Sequence, residues 1–571
     1  MRIIVARTAG FCMGVRRAME MAVKALASAP PPVRSSGPLI HNRQVVALLA
    51  ARGLKSENAS GGTVVIRAHG VSADERQRLA AGAGAVVDAS CPHVLASQRC
   101  AQAAVAAGKD VVLVGDAGHP EITALASYCE KAYIVADEET ARQVALTRPF
   151  AVIAQTTFDR ERYRRICDIL QERFPNCVVH ETICAATRQR QEEAAALARQ
   201  TDALVVVGGK HSANTRRLAE IGRSLGKPVF HVENADEICI DDFKGFQTVG
   251  VTAGASTPGW LTEEVIAKLE EVPDWRPAAL LHRFVRAAAR SRMLTALGTA
   301  CLLFAVAHLI RIRLVHGAAA MYAAAAFAFL AHTINRRHIP AETAGGGRPF
   351  DMFYRRHQRM LMILAWLGWG AAMLVAVQIN FFAAGVLGFA TAAAILYGVP
   401  LLPPSFKRRC LRDWPGSKDV LVAAAWTFVV VGMAVAASDG INLSAKKIAA
   451  ASAIIFLLTY VKTVMLDLRD MESDHLLGID TLPVWLGKAR AISLLVFLHW
   501  VILAIIVLIA FLGGGAFAYL FILVPLYGVL ALRILSSSGF KGETECQIIM
   551  DGQMLFAGLL AFLHKAAEKI L

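Results

Sequence analysis

The sequence predicts an α/β protein of three α/β units, followed by an all-α polytopic membrane domain of about nine helices. Three observations carry this expectation. Short β-branched runs alternate with amphipathic stretches through residues 1–275, the pattern of βα units with parallel strands. Three of those runs lead to a cysteine that opens a helix-like stretch. From residue 293 onward, apolar runs recur at close to the ~20 residues that a spanning helix needs. The expected domains are 1–275, a basic linker at 276–292 and a transmembrane domain at 293–571.

The cysteine units set the frame. Ile3-Ile4-Val5-Ala6 leads to Cys12 and an amphipathic run from Val15 to Leu26. Val86-Val87 leads to Cys91 and a run from Val94 to Ala106, and Val178-Val179 to Cys184 and a run from Thr187 to Ala198. Ligands in open α/β folds collect outside the carboxyl ends of strands, so three such units can aim three thiolates at one point. Three is one short of the usual four for an iron–sulfur cluster, and a missing ligand leaves the open position that a substrate-binding metal site needs. Buried core cysteines are the alternative, since free Cys packs as a small hydrophobe and the chain has no CxxC.

Composition narrows the class. A chain of 571 residues is too long for one ordinary domain. Its 55% hydrophobic content and mean hydropathy of +0.46 exceed a soluble average, and the excess lies in the second half. The net charge of +15 would suit nucleic acid. Many of the basic residues, however, sit in short loops between apolar runs, where they mark a cytoplasmic face. No nucleic-acid partner is expected. No signal-peptide pattern is visible, so the N-terminal half is expected in a reducing cytosol with free or metal-bound thiols.

Along the soluble half, Gly10-Phe11-Cys12-Met13-Gly14 turns a strand into a helix, with glycines permitting a tight path. Leu39-Ile40 ends in His41, Val64-Val65-Ile66 leads to His69, and Val111-Val112-Leu113-Val114 leads to His119. Three histidines at equivalent strand ends can donate hydrogen bonds to an anion such as diphosphate, assisted by helix N-termini. Glu121 is the one carboxylate attached to these turns and the candidate proton donor. Thr156, Ser212, Asn214 and Ser256 follow further strand-like runs, where short polar side chains cap helices or bind the same anion.

These residues fall within GFCMGV, IHN, RAHGV, SCPHV, GHPEI, QTT, ETICAAT, KHSAN and TAGAS. In that order the motifs resemble the IspH (LytB) family of iron–sulfur reductases of isoprenoid biosynthesis, across residues 1–270. The resemblance implies a trefoil of three α/β units around a 4Fe-4S cluster with one unligated iron. It implies reduction of 4-hydroxy-3-methylbut-2-enyl diphosphate to isopentenyl and dimethylallyl diphosphate. By position, Cys12, Cys91 and Cys184 would hold the cluster. His41, His69, His119, Ser212, Asn214 and Ser256 would line the diphosphate site, with Thr156 near the substrate hydroxyl and Glu121 supplying protons. Two positions depart from the family pattern: His211 stands where asparagine is common and Ala213 where a second serine is common. An unreplaced hydroxyl would cost about 1–3 kcal/mol of binding. No flavin or nicotinamide motif occurs, so an external one-electron donor such as ferredoxin or flavodoxin is expected.

Pro273-Asp274-Trp275-Arg276-Pro277 breaks the last soluble helix. The stretch from Leu280 to Arg292 carries Arg283, Arg286, Arg290 and Arg292 and reads as a basic helix on the inner membrane surface. Spans are expected near 293–310, 315–334, 358–378, 381–402, 419–437, 446–466, 490–512, 514–535 and 548–567. Arg336, Arg337, Arg355, Arg356, Lys407, Arg408, Arg409 and Arg412 lie in loops on one side. They place those loops and the N-terminal domain in the cytoplasm at the inner membrane; Arg311 and Arg313 run against this. A loop after the sixth span carries Asp467, Asp470 and Asp474 at i, i+3 and i+7, followed by Gly478 and Thr481-Leu482-Pro483. Three carboxylates at a membrane rim suit Mg²⁺ bound jointly with a diphosphate.

The nine spans and DLRDMESDHLLGIDTLPVWLG resemble the UbiA superfamily of membrane prenyltransferases, whose second aspartate-rich motif this matches. The first motif departs. Asn335-Arg336 is in place, but Ile339 and Thr343 stand where aspartates are expected, leaving Glu342 alone. The resemblance implies that both motifs bind Mg²⁺ and a prenyl diphosphate together. The altered half leaves two expectations open: prenyl transfer to a lipid or aromatic acceptor, or a non-catalytic anchor or lipid-binding module.

Overall fold

The structure, a computed structural model, describes residues 1–570 except 57–60, 275, 338–348, 401–402, 404–409, 412–413, 415, 441–442, 478, 513–514 and 538–541. It divides into two units, Met1–Asp274 and Trp275–Leu571.

The first unit contains eleven strands: β1 (Arg2–Val5), β2 (Val33–Ser35), β3 (Thr63–Ile66), β4 (Ala85–Asp88), β5 (Asp110–Val114) and β6 (Ala132–Val135). The remainder are β7 (Phe150–Ala154), β8 (Val178–His180), β9 (Ala203–Val207), β10 (Val229–Val232) and β11 (Thr248–Ala253). They form three separate sheets with orders β1-β11-β9-β10, β2-β3-β4 and β6-β5-β7-β8. Every pairing in them is parallel, and β1 pairs with β11 so that Arg2 stands opposite Thr248. The central strands β5, β7 and β9 read Asp-Val-Val-Leu-Val, Phe-Ala-Val-Ile-Ala and Ala-Leu-Val-Val-Val and are buried throughout. Continuous apolar runs of this kind fit sheets covered by helices on both faces. By contrast β1, β4 and β8 are edge strands and partly exposed.

One expected element is absent. Leu39 and Ile40 form a bend rather than a strand stub, although both are 1% exposed. Gly37, with φ of 88°, and Pro38 interrupt the extended path after β2. His41 therefore sits at the end of a buried bend, and Asn42 caps the helix Arg43–Ala51 by accepting from the Val45 N–H at 3.0 Å.

The second unit is helical. Among the described residues, eight helices are long and apolar enough to cross a membrane, and nine if one bent pair counts as a single span. That pair is Leu280–Arg290 with Met293–Leu309, bent by 76°. Arg292 makes the corner in the left-handed region at φ 68°, so the basic helix and the expected first span are two arms of one broken element. The apolar core runs through Leu302, Val306, Phe327, Trp426, Met433, Ile455 and Phe521. The chain is a multi-pass membrane protein. The expected loop at Asp467–Asp474 is instead the last part of the helix Ala445–Leu477, since nothing before Gly478 breaks the pattern. Ile339, Glu342, Thr343, Lys407, Arg408, Arg409, Arg412 and Gly478 lie outside the described residues, as do the side chains of Arg336 and Arg337.

Candidate functional site

Each of the three cysteines follows the edge strand of a different sheet and occupies the cap position of the next helix. Cys12 follows β1 and opens Met13–Ser28, Cys91 follows β4 and opens Pro92–Ala106, and Cys184 follows β8 and opens Ala185–Gln200. The Cys12 sulfur accepts from the Val15 N–H at 3.4 Å, and the Cys184 sulfur from the Thr187 N–H at 3.3 Å. A helix N-terminus favours negative charge, so each thiolate is set where its charge is stabilised. The thiols also sense one another: burial raises the pKa of Cys91, and the neighbouring Cys12 and Cys184 raise it further.

Direct bonds link this centre to the other candidates. The Cys12 N–H donates to Ala255 O at 3.0 Å, and the adjoining Ser256 hydroxyl donates to His41 O at 3.1 Å. The imidazole rings of His41, His69 and His119 cluster with centroids 4.0, 5.8 and 6.2 Å apart. The Glu121 N–H donates to His119 Nδ1 at 3.1 Å, which puts the ring proton on Nε2. Thr156 donates to both oxygens of Glu121, from its N–H at 2.7 Å and from its hydroxyl at 3.0 Å. The ring closes where the Cys184 N–H donates to Thr156 O at 3.1 Å.

The electrostatics are specific. Burial lowers the pKa of all three histidines. His69 falls well below the usual value, and His119 is brought to about 4, helped by nearby His41. All three are therefore neutral at pH 7. Burial pushes Glu121 up to about 7, against the opposing hydrogen bonds from Thr156. His41 Nε2 and both amide atoms of Asn214 are buried without a hydrogen-bond partner within the described chain. Buried polar groups are normally paired, so these atoms point to a polar ligand. Ser212 is partly committed, since its oxygen caps the helix Ala213–Ser224 by accepting from the Thr215 N–H at 3.5 Å. His211 turns to Arg43, with Nε2 3.0 Å from the guanidinium.

Residues 3–270 match the family model described as LytB protein. A 4-hydroxy-3-methylbut-2-enyl diphosphate reductase of Trichlorobacter lovleyi is 43% identical over 277 residues, covering 48% of this chain and 99% of the relative. The chain belongs to the LytB family. A solved structure of (E)-4-hydroxy-3-methyl-but-2-enyl diphosphate reductase matches the LytB half at 35% identity and TM-score 0.38, covering 48% of this chain and all of that one. Residues 355–549 match the UbiA prenyltransferase family model. A UbiA homologue of Archaeoglobus fulgidus, solved with GPP and Mg²⁺, matches at 16% identity and TM-score 0.35, covering 48% of this chain and 99% of that one.

The donor set of the LytB unit fits an iron–sulfur group. It is all sulfur, and the three sulfurs do not all lie within the 4.8 Å of one another at which three donors close on one ion. Thiolates on a single zinc, at about 2.3 Å each, would stand only about 3.8 Å apart. Gly14 makes room for this arrangement: a Cβ there would lie 2.5 Å from the Cys91 sulfur. Alanine at this helical position would otherwise stabilise the helix by about 0.5–1 kcal/mol. Gly14→Ala is therefore expected to lower iron per chain several-fold in spite of its better helix propensity, as measured by iron and sulfide analysis.

Sequence reasoning missed Arg190. It is 4% exposed, donates to Gly10 O at 2.6 Å and lies near Cys12 and Cys184, whose charges act against the lowering of its pKa by burial. Its position in the buried stripe Thr187, Arg190, Ala194, Leu197 was the available signal.

In the UbiA domain, Asp467 and Asp474 are buried at 1% and 4% exposure. Asp467 accepts from Lys418, and Asp470 accepts from Arg469 Nε at 2.6 Å. Arg469 also lies 3.3 Å from Glu543. Cations of the chain thus contact two of the three carboxylates expected to hold Mg²⁺.

Proposed function

We propose that the LytB unit is a 4-hydroxy-3-methylbut-2-enyl diphosphate reductase that yields isopentenyl and dimethylallyl diphosphate. Buried, unpartnered His41 Nε2 and Asn214, beside three neutral histidines and the three-thiol centre, carry this reading. Cys12, Cys91 and Cys184 would hold a 4Fe-4S cluster. When bound, the cluster supplies electrons singly and a Lewis-acidic iron for the substrate hydroxyl.

The chain's residues do the rest. His119 presents Nε2–H to the diphosphate, and His41, His69, Ser212, Asn214 and Ser256 complete the polar lining. Anchoring that end fixes the reacting carbon beside Thr156, so that binding energy is used for orientation. Glu121, raised to about 7, keeps its proton in a large share of molecules at neutral pH and passes it through the Thr156 hydroxyl, 3.0 Å away, to the departing oxygen. The leaving group then departs as water, and the carbon fragment that has gained two electrons takes a second proton at either end of its allylic unit to give the two products. Electrons come from an external one-electron donor of the ferredoxin or flavodoxin class. The test is anaerobic: the purified chain is assayed for iron, sulfide and reduction of the hydroxy-butenyl diphosphate with a chemical one-electron donor. Turnover is expected; a loaded cluster without turnover would overturn the assignment.

The UbiA domain serves as a membrane-embedding, lipid-binding module rather than a magnesium-dependent transferase. Lys418 on Asp467 and Arg469 on Asp470 support this reading. Arg355 and Arg356, both exposed, add to a basic side that sets the reductase on the cytoplasmic face of the inner membrane. Proteoliposomes with Mg²⁺ and a prenyl diphosphate are expected to show no transfer. Transfer that Asp470→Asn abolishes would sink this reading.

A further inference from the structure

Across the membrane unit from the aspartates, a second cluster of ligand atoms stands apart from everything described above. The helices Met293–Leu309 and Glu543–Ile570 run side by side in the same direction: Thr295 meets Asp551, Gly298 faces Met554, Cys301 faces Gly558, and His308 meets His564. Glu543, at the start of the later helix, lies beside Arg469 and the aspartate motif. His564 is about six turns further on, about 30 Å along the axis and close to a bilayer's apolar thickness. The cluster is therefore at the opposite end of the bundle.

There, His308 Nε2 and His564 Nδ1 face each other at 3.1 Å, and Glu568 Oε1 is 3.6 Å from the same His564 nitrogen. Among the described residues, this is the one group of three such donors within 4.8 Å of one another. Two imidazole nitrogens bound to one ion at about 2.1 Å stand roughly 3.0–3.4 Å apart, according to whether the ion is octahedral or tetrahedral. The observed separation falls in that range. Phe517 backs both rings, with centroids 4.7 and 5.4 Å away, and fixes their planes. Lys565, the neighbouring cation, turns its ammonium over the Phe304 ring at 5.4 Å. Glu568 is 57% exposed, which leaves a path for an ion and a fourth position for water.

We propose that His308, His564 and Glu568 form a site for a divalent ion of the zinc class. Imidazole and carboxylate donors suit such ions better than Mg²⁺ or Ca²⁺, which prefer all-oxygen shells. The bound ion clasps the far ends of the first and last long apolar helices, at the face away from the aspartate motif.

The test uses the full-length, tag-free chain carrying its iron. Wild type, His308→Ala and Glu568→Gln are equilibrated with micromolar Zn²⁺, freed of unbound metal, and analysed for zinc and iron. Wild type is expected to retain one zinc per chain more than either variant, with equal iron in all three. Equal zinc in all three would overturn the site. If His308→Ala fails to fold, Glu568→Gln decides alone, because its side chain is exposed and removing its charge leaves the packed rings in place.

Discussion

Cys184→Ser is expected to strip the chain of iron and abolish reduction while leaving the helices in place. The proposed cluster would draw on one thiolate following a strand of each of three sheets, so no neighbouring cysteine could substitute. Serine is a weak ligand for iron, yet it is among the best helix-capping residues. The introduced hydroxyl would inherit the contact that the Cys184 sulfur now makes with the Thr187 N–H. Fold and metal are thereby separated. Iron per chain is expected to drop at least about tenfold, with turnover below detection and an unchanged helical circular-dichroism signal. Retained iron with full turnover would remove Cys184 from the centre.

Glu121→Gln is expected to do the reverse, keeping the iron and losing about 10²–10⁴-fold in turnover, the range for a lost general acid. Glutamine copies the shape of the protonated carboxyl: its oxygen still accepts from the Thr156 N–H, and its amide donates to the Thr156 hydroxyl. What it lacks is an acidic proton. Burial lifts Glu121 to about 7, so the acid form predominates below that pH and is lost above it. Wild-type turnover should fall as pH rises through about 7, and the residual rate of the variant should show no such limb. A pH–rate series on both proteins checks this. A variant as fast as wild type would sink the proton-donor role.

The three cysteines, His69 and His119 were legible because each lies between a strand and the helix that follows it, where local pattern is strongest. His41 joins the other two histidines as the sequence suggested, but its approach was misread, since Gly37 and Pro38 convert it from strand to bend. Asn214 looked like one helix-capping residue among several. Its weight comes from burial without a partner, which no local pattern encodes. Spans followed from length and hydropathy, except that the aspartate motif continued a helix where charge suggested a loop. Lys418 could not have been assigned to Asp467 from the sequence, because the two are 49 residues apart and meet only through packing.

The pairing of β1 with β11 also governs the order in which the protein can be made. The strand beside Cys12 is synthesised among the first residues, but its hydrogen-bonding partner lies near residue 250, and the Cys12 backbone is fixed by the carbonyl of Ala255. Loop closure over that separation must precede any local gain. The emerging chain therefore carries three unassembled thiols through almost the entire synthesis of its LytB half. If these thiols hold iron, they can be brought together only after the residues near 250–255 have been made, just before the broken, arginine-rich element. Metal loading, on the proposed reading, and delivery to the bilayer would then be neighbouring events in time.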